Sequence, residues 1–227
     1  MTWVFLHGAA SSPDVWAQQR RTFPTAVYYR FPPDPDPGDA LLEYYRAAVL
    51  RDISGPLIIV GHSLGGAVAQ LAMLTEPNRV AGAVLVGTGP RLPVNPELLA
   101  GLADHPGETL DRVAGWSLAR TADASLLEGS RTMAREADPR LALRQFAACA
   151  RFDLRGAAPA PDIPVEVIWG AADRMTPPAL VAELAALWPG AHLVEIPNAG
   201  HLVMLEQPQD FNRALRQAAE RHGWTLP

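Results

Sequence analysis

Lysine is absent from the 227 residues; all 19 basic side chains are arginine. That excludes Schiff-base chemistry on a lysine amine and any serine–lysine mechanism. A single cysteine, Cys149, excludes an internal disulfide and a multi-cysteine metal site. Its neighbours Phe146, Ala147, Ala148 and Ala150 mark it as a buried helical position where a small apolar side chain suffices. The longest apolar runs, at 56–60 and 81–86, are far too short to span a bilayer. No cluster of basic residues stands out and the net charge is −5, which argues against a nucleic-acid partner. Residues 1–6 lack the basic start and separate apolar stretch of a secretory leader, so a cytoplasmic address with no membrane partner is expected.

What is present fits one covered domain with a modest insertion: 48% of the residues are apolar and 19% charged. Short, partly β-branched apolar runs predict strands over residues 2–6, 26–30, 57–60, 80–86, 165–169 and 193–196. Helical spacing over 40–50, 66–74 and 179–187 lies between them. This alternation implies an α/β fold: a doubly wound, mostly parallel sheet of about six strands with helices on both faces. Near-continuous apolar strands are what a sheet covered on both sides requires.

One interval breaks the rhythm. Residues 89–161 carry no convincing strand, only helical patterns, with Asn95-Pro96 and Asp138-Pro139 as start signals. Leu141, Leu143, Phe146 and Ala150 predict one apolar stripe there. We read this interval as a helical lid inserted into a core made of residues 1–88 and 162–227. Its position just after a strand's C-terminal end, the edge where ligand crevices open in such sheets, favours a lid. Asp34-Pro35-Asp36-Pro37 predicts a stiff surface loop, and its two aspartates lack the further oxygen ligands a metal would need.

The most informative stretch is Leu57-Ile58-Ile59-Val60-Gly61-His62-Ser63-Leu64-Gly65-Gly66-Ala67: an apolar strand, a Gly-x-Ser-x-Gly turn, then a helix rich in small residues. A serine becomes a useful nucleophile only when exposed, set beside a base and aimed at an oxyanion site. A tight strand-to-helix turn achieves the exposure at the cost of backbone strain and crowding. Gly61 and Gly65 support that elbow, because a side chain at either would clash across the turn.

Over nearly its whole length the chain resembles the α/β-hydrolase family, in its small, lid-containing serine-esterase branch. His7-Gly8-Ala9 after the first strand is similar to the family's oxyanion turn. Trp169-Gly170-Ala171-Ala172-Asp173-Arg174-Met175-Thr176-Pro177 resembles its strand-to-acid loop, and Asn198-Ala199-Gly200-His201 with Glu206-Gln207-Pro208 its histidine loop and final helix. The resemblance implies a catalytic triad of Ser63, His201 and Asp173. His201 would act as the base and Asp173 would hold its tautomer. The backbone N–H groups of Ala9 and Leu64 would form the oxyanion hole. It also implies that the two strands usually preceding the His-Gly turn are missing. Where many members carry Asp-x-Arg-Gly-x-Gly, this chain has Phe31-Pro32-Pro33-Asp34-Pro35-Asp36-Pro37.

A serine nucleophile argues against the dehalogenase and epoxide-hydrolase branches, which use a carboxylate. The expectation is therefore hydrolysis of small to medium apolar carboxylic esters through an acyl-enzyme. Leu98, Leu102, Trp116, Leu118, Met133 and Phe146 of the interval are candidates for an apolar pocket. The alternatives are C–C bond hydrolysis or a menaquinone-pathway-like lyase reaction on the same triad, or a non-catalytic ligand-binding module. In the former, Arg91 and Arg174 would meet a substrate carboxylate. Arg91 and Trp116 are candidate substrate contacts. His7 is expected to support its turn and His62 to bond locally, while His105, His192 and His222 read as surface groups. No cofactor and no metal are expected. The expected partner is a small-molecule substrate, and the chain is expected to be a monomer or small homo-oligomer.

Overall fold

The computed structural model describes residues 1–33, 38–157 and 162–227. The proline-rich loop at 34–37 and the end of the 89–161 interval lie outside the described residues. Six strands form one parallel sheet: β1 (Thr2–Leu6), β2 (Val27–Tyr29), β3 (Leu57–His62), β4 (Val80–Val86), β5 (Val165–Gly170) and β6 (His192–Ile196), in the order β2-β1-β3-β4-β5-β6. The order reverses between β1 and β3, so the crevice at their C-terminal ends is where an open sheet of this kind places its ligands.

Alternation along the strands divides the core in two. Val4, Leu6, Leu57, Ile59, Ala83, Leu85, Val165 and Val167 point to one face. Helices α2 (Leu41–Asp52), α3 (Leu64–Thr75) and α8 (Pro178–Leu187) cover it through Tyr45, Val68 and Leu184. Trp3, Phe5, Ile58, Val60, Val84, Val86 and Ile168 point to the other face. There Trp16, Phe23 and the helix α10 (Pro208–His222), with Phe211 and Leu215, close the layer. A period of two in the strands thus becomes two apolar layers because both faces are capped. The short α1 (Ala17–Thr22) and α9 (Val203–Glu206) complete the second layer.

Between β4 and β5 lie four helices, α4 (Pro96–Asp104), α5 (Pro106–Trp116), α6 (Ala124–Arg135) and α7 (Pro139–Arg151). The start signals act as read: Asn95 Oδ1 accepts from the Glu97 N–H at 2.9 Å, and Asp138 Oδ1 from the Arg140 N–H at 2.8 Å. These helices share an apolar cluster of their own, including Leu102, Leu110, Val113, Ala134 and Phe146. The stripe on α7 differs from expectation. Its buried line is Ala142, Gln145, Phe146 and Cys149, while Leu141 and Leu143 lie at the margin and Ala150 is exposed. Ala142 and Phe146 join the helical cluster while Ala148 and Cys149 join the core over the sheet, so α7 is buried on two sides. Among the described residues no helix is long and apolar enough to cross a membrane.

A charged cluster sits at the far end of β5. Glu166 is fully buried, and its carboxylate accepts from Arg221 Nη1 at 2.8 Å, flanked by His192 Nδ1 at 2.9 Å and His222 Nε2 at 2.8 Å. His192 and His222, read as surface groups, therefore partner a buried acid. The acid is tolerated inside because three hydrogen bonds replace its water.

Candidate active site

The elbow forms where β3 runs into α3. Ser63 sits between them at φ 52°, ψ −114°, a region that disfavours side chains. Neighbouring strands hold it there. Its N–H donates to the Val86 carbonyl of β4 at 2.9 Å, and its carbonyl accepts from Thr88 Oγ1 at 3.0 Å. The glycines are required by contact. A Cβ on Gly61 would stand 2.4 Å from the Gly65 carbonyl oxygen, and one on Gly65 would stand 2.5 Å from that of Leu6. The elbow therefore packs directly against the end of β1, beside the His7-Gly8-Ala9 turn.

Asp173 and His201 come from the loops after β5 and β6. These loops are zipped together: Ala171 N–H donates to Ile196 O at 2.9 Å and Ala172 N–H to Ala199 O at 2.8 Å. A Cβ on Gly170 would lie 2.2 Å from the Gly200 oxygen, so only glycine admits this approach. His201 Nδ1 donates to Asp173 Oδ2 at 2.8 Å, with both side chains buried. The other carboxylate oxygen takes the N–H groups of Met175 at 2.8 Å and Thr176 at 2.9 Å, and Thr176 Oγ1 donates to Oδ2 at 2.6 Å. Burial alone would raise the Asp173 pKa. The adjacent His201 and the Thr176 hydrogen bonds outweigh it and hold the acid at about 2, so it stays a carboxylate.

Ser63 and His201 line the same solvent-open cleft over the C-terminal ends of the strands, which spans about 540 Å³ including open solvent. Among the described residues no hydrogen bond joins Ser63 Oγ to His201; such contacts commonly tighten only when substrate is bound. Ala9 also lines this cleft, and Leu64 begins α3, where the first N–H groups have no partner within the helix. Among the described residues neither the Ala9 nor the Leu64 N–H has a protein acceptor. A second, smaller hollow of about 340 Å³ shares Ala9, Ser63 and His201 and adds Leu92, Val94 and Cys149. Burial pushes the Cys149 thiol up to about 12, so it lines the wall as an un-ionised apolar group.

The remaining candidates divide. Met133 and Phe146 reach the cleft, but Leu98 and Leu102 pack inside the helical cluster and Leu118 joins the core beneath the second layer. Trp116 is 42% exposed, with the Arg112 guanidinium 6.0 Å from its ring. Arg91 is taken by Glu183 of α8 in a two-pronged ion pair at 2.9 and 2.7 Å. Arg174 donates to the carbonyls of Gly115 and Leu118 at 2.8 and 3.0 Å. Neither arginine nor Trp116 lines the Ser63 cleft: the arginines are bonded to other parts of the protein and Trp116 faces outward.

Three residues were not assigned a role from sequence. Thr176 braces the Asp173 carboxylate, and its spacing three residues after an acid was the available signal. Glu206 accepts from Gly200 N–H and Ala119 N–H, both at 2.8 Å, tying the histidine loop to the segment after α5. Gln145 reaches the turn after β1 from α7, accepting from the Ala10 N–H at 2.8 Å. His62, expected to bond locally, instead donates from Nε2 to the His201 carbonyl at 3.0 Å. Burial, reinforced by nearby His201, holds its pKa well below the ordinary range, so it stays neutral. His7 is buried against Phe31 with Nδ1 2.9 Å from the Gly8 oxygen, and burial lowers its pKa to about 4.

These buried histidines give a stability prediction. An unfolded His7 takes its proton near 6.5, whereas the folded one resists until about 4. Between these values the unfolded state holds the extra proton, so stability is lost as pH is lowered, by about 1.4 kcal/mol per unit for such a histidine. His62 adds a slope of the same sign. We expect Tm to drop between pH 6.5 and 4, with a shallower fall in His7→Gln; equal slopes in thermal unfolding would refute the assignment.

A strained serine at the turn after β3 and a buried Asp–His pair on the loops after β5 and β6 define a hydrolytic enzyme of the α/β type. The chain belongs to the alpha/beta hydrolase family, whose model matches residues 3–214, and it is an esterase-type member. It is 29% identical to the pimeloyl-[acyl-carrier protein] methyl ester esterase of Aromatoleum aromaticum over 91% of this chain and 93% of that one. It is 25% identical to the protein of the same description in Yersinia pseudotuberculosis, over 96% and 93%. Among solved structures, a thermophilic esterase superposes with a TM-score of 0.81 at 29% identity, over 98% and 90% of the two chains. The fold is shared at a TM-score of 0.86 by an Exiguobacterium antarcticum esterase that is 16% identical, over 97% and 92%.

Proposed function

We propose that the protein is a serine carboxylesterase that hydrolyses small to medium apolar carboxylic esters. The observation that carries this reading is the buried His201–Asp173 hydrogen bond of 2.8 Å, whose histidine shares one cleft with the strained Ser63. Asp173 Oδ2 holds the Nδ1–H tautomer, leaving Nε2 as the basic nitrogen. Ser63 Oγ attacks the ester carbonyl carbon while Nε2 takes its proton. The resulting oxyanion accepts from the Ala9 and Leu64 N–H groups. The C–O bond then breaks, the alcohol leaves with the proton from His201, and an acyl-serine remains. Water attacks that acyl group by the same route and releases the acid.

Val113, Ala114, Met133, Ala134, Phe146 and Met175 give the cleft an apolar wall with no charged residue, which supports an uncharged acyl chain. Four of these six come from α5 and α6, and Phe146 from α7, so the helices between β4 and β5 act as the lid. The methyl ester named for the relatives supports a small leaving alcohol. For the C–C cleavage and lyase reading, Arg91 and Arg174 were the candidates to meet a substrate carboxylate, and both are bonded to the protein itself.

A panel of p-nitrophenyl esters from acetate to palmitate, with methyl esters of the same acids, tests the reading. We expect kcat/KM to peak at short or medium chains and fall at least tenfold for palmitate. No turnover of any simple ester by pure protein would overturn it.

A further inference from the structure

The turn that carries the Ala9 N–H is held by a residue of the helical segment above it. Ala10, the next residue, has φ 50°, a left-handed conformation uncommon for alanine. Its N–H donates to Gln145 Oε1 of α7 at 2.8 Å, and Gln145 Nε2 donates to the Tyr45 hydroxyl of α2 at 3.1 Å. An N–H can only donate, so this bond also fixes which end of the amide faces the turn. Tyr45 stacks on Phe31 at 4.2 Å, and Phe31 meets the His7 ring edge-on at 4.8 Å. The segment from His7 to Ala10 is thus gripped at both ends.

Gln145 stands in an otherwise apolar buried line with Ala142, Phe146 and Cys149. Packing there would be served by a hydrocarbon side chain. A buried amide is costly unless it is paired. The pairing it makes is with the peptide joining Ala9 to Ala10. Fixing that peptide plane limits rotation at Ala9, and so limits swing of the preceding peptide, whose N–H is the oxyanion donor. Such donors act only when held at hydrogen-bond distance from the developing charge.

We propose that Gln145 is a positioning residue for the oxyanion hole, holding the Ala9 N–H on target through Ala10 and coupling the placement of α7 to catalysis. This rests on the serine-esterase reading above. It implies that moving α7 away from the sheet disassembles the oxyanion hole.

The test compares wild type with Gln145→Met, which keeps the volume and removes the acceptor, and Gln145→Glu, which keeps the acceptor. With p-nitrophenyl butyrate, kcat of Gln145→Met is expected to fall about 10- to 100-fold with KM within about twofold. The Ki of a trifluoromethyl ketone, which forms an oxyanion on the serine, should rise by the same factor. Gln145→Glu should recover most of both. A folded Gln145→Met with unchanged kcat and Ki overturns the proposal. So does a variant whose Tm and KM change while the ketone affinity does not, the pattern of a merely structural role. Should Gln145→Met not fold, Tyr45→Phe is read the same way, with a loss of about threefold in kcat and a matching rise in Ki expected. If the wild type itself neither turns over the ester nor binds the ketone, the esterase reading fails first, and that outcome is visible without any variant.

Discussion

Replacing Ser63 by alanine is expected to lower kcat on a p-nitrophenyl ester by on the order of 10⁶-fold, leaving a residue of activity from the oxyanion donors and binding alone. The size of the effect follows from the division of labour at the elbow. In the proposed mechanism Ser63 Oγ carries the acyl group, so no other group substitutes once it is gone. Cys149, which lines the neighbouring hollow, is held un-ionised by burial and cannot replace it. The fold should be indifferent to the change. Alanine tolerates φ 52° no worse than serine does, and the bonds to Val86 and Thr88 are made by the backbone. Steady-state kinetics and thermal unfolding on the same preparation check both halves. An alanine variant with more than about one hundredth of wild-type kcat would mean that a different group performs the chemistry.

The second large effect is expected from Asp173→Asn: a fall in kcat of roughly 10⁴-fold with KM little changed. Here the physical cause is a tautomer. Asp173 Oδ2 accepts from both His201 Nδ1 and Thr176 Oγ1, while Oδ1 accepts from two backbone N–H groups. All four partners are donors, so the site is built for a carboxylate. The backbone donors keep the amide oxygen of an asparagine on their side, and its NH₂ then faces the imidazole. His201 can answer only by presenting an unprotonated Nδ1, which places the proton on Nε2, where it can no longer accept one from serine. A fall of less than tenfold in kcat would show that another acid orients the ring. Glu206 also acts electrostatically on His201, but its oxygens are occupied by the N–H groups of Gly200 and Ala119.

The parts legible in the sequence share one property: their cause is local. The strand at residues 80–86 was placed to the residue because a buried parallel strand needs an unbroken apolar run, and β2 differed by one residue at each end. The elbow was legible because its glycines, serine and following helix lie within a dozen residues and answer to a single steric demand. What was missed depends on partners far away in the chain. Arg91 read as free to meet a substrate, and its partner Glu183 lies 92 positions on. Glu166 lies inside a run read only as an apolar strand, and its partners His192, Arg221 and His222 come from the start of β6 and the end of α10, 26 to 56 positions on. Gln145 was hidden for the same reason. Its one-residue displacement from the expected stripe shows only when α7 is laid against the turn at Ala10.

The measurement that bears most directly on the central claim is intact-mass analysis after treatment with a fluorophosphonate, with the adduct mapped by peptide sequencing. An activated serine beside an oxyanion hole should take up a single adduct, on Ser63, and Ser63→Ala and His201→Ala should take up none under the same conditions. A wild-type protein that stays unlabelled while a control esterase reacts, or one labelled equally in His201→Ala, would contradict the assignment of Ser63 and His201 as nucleophile and base.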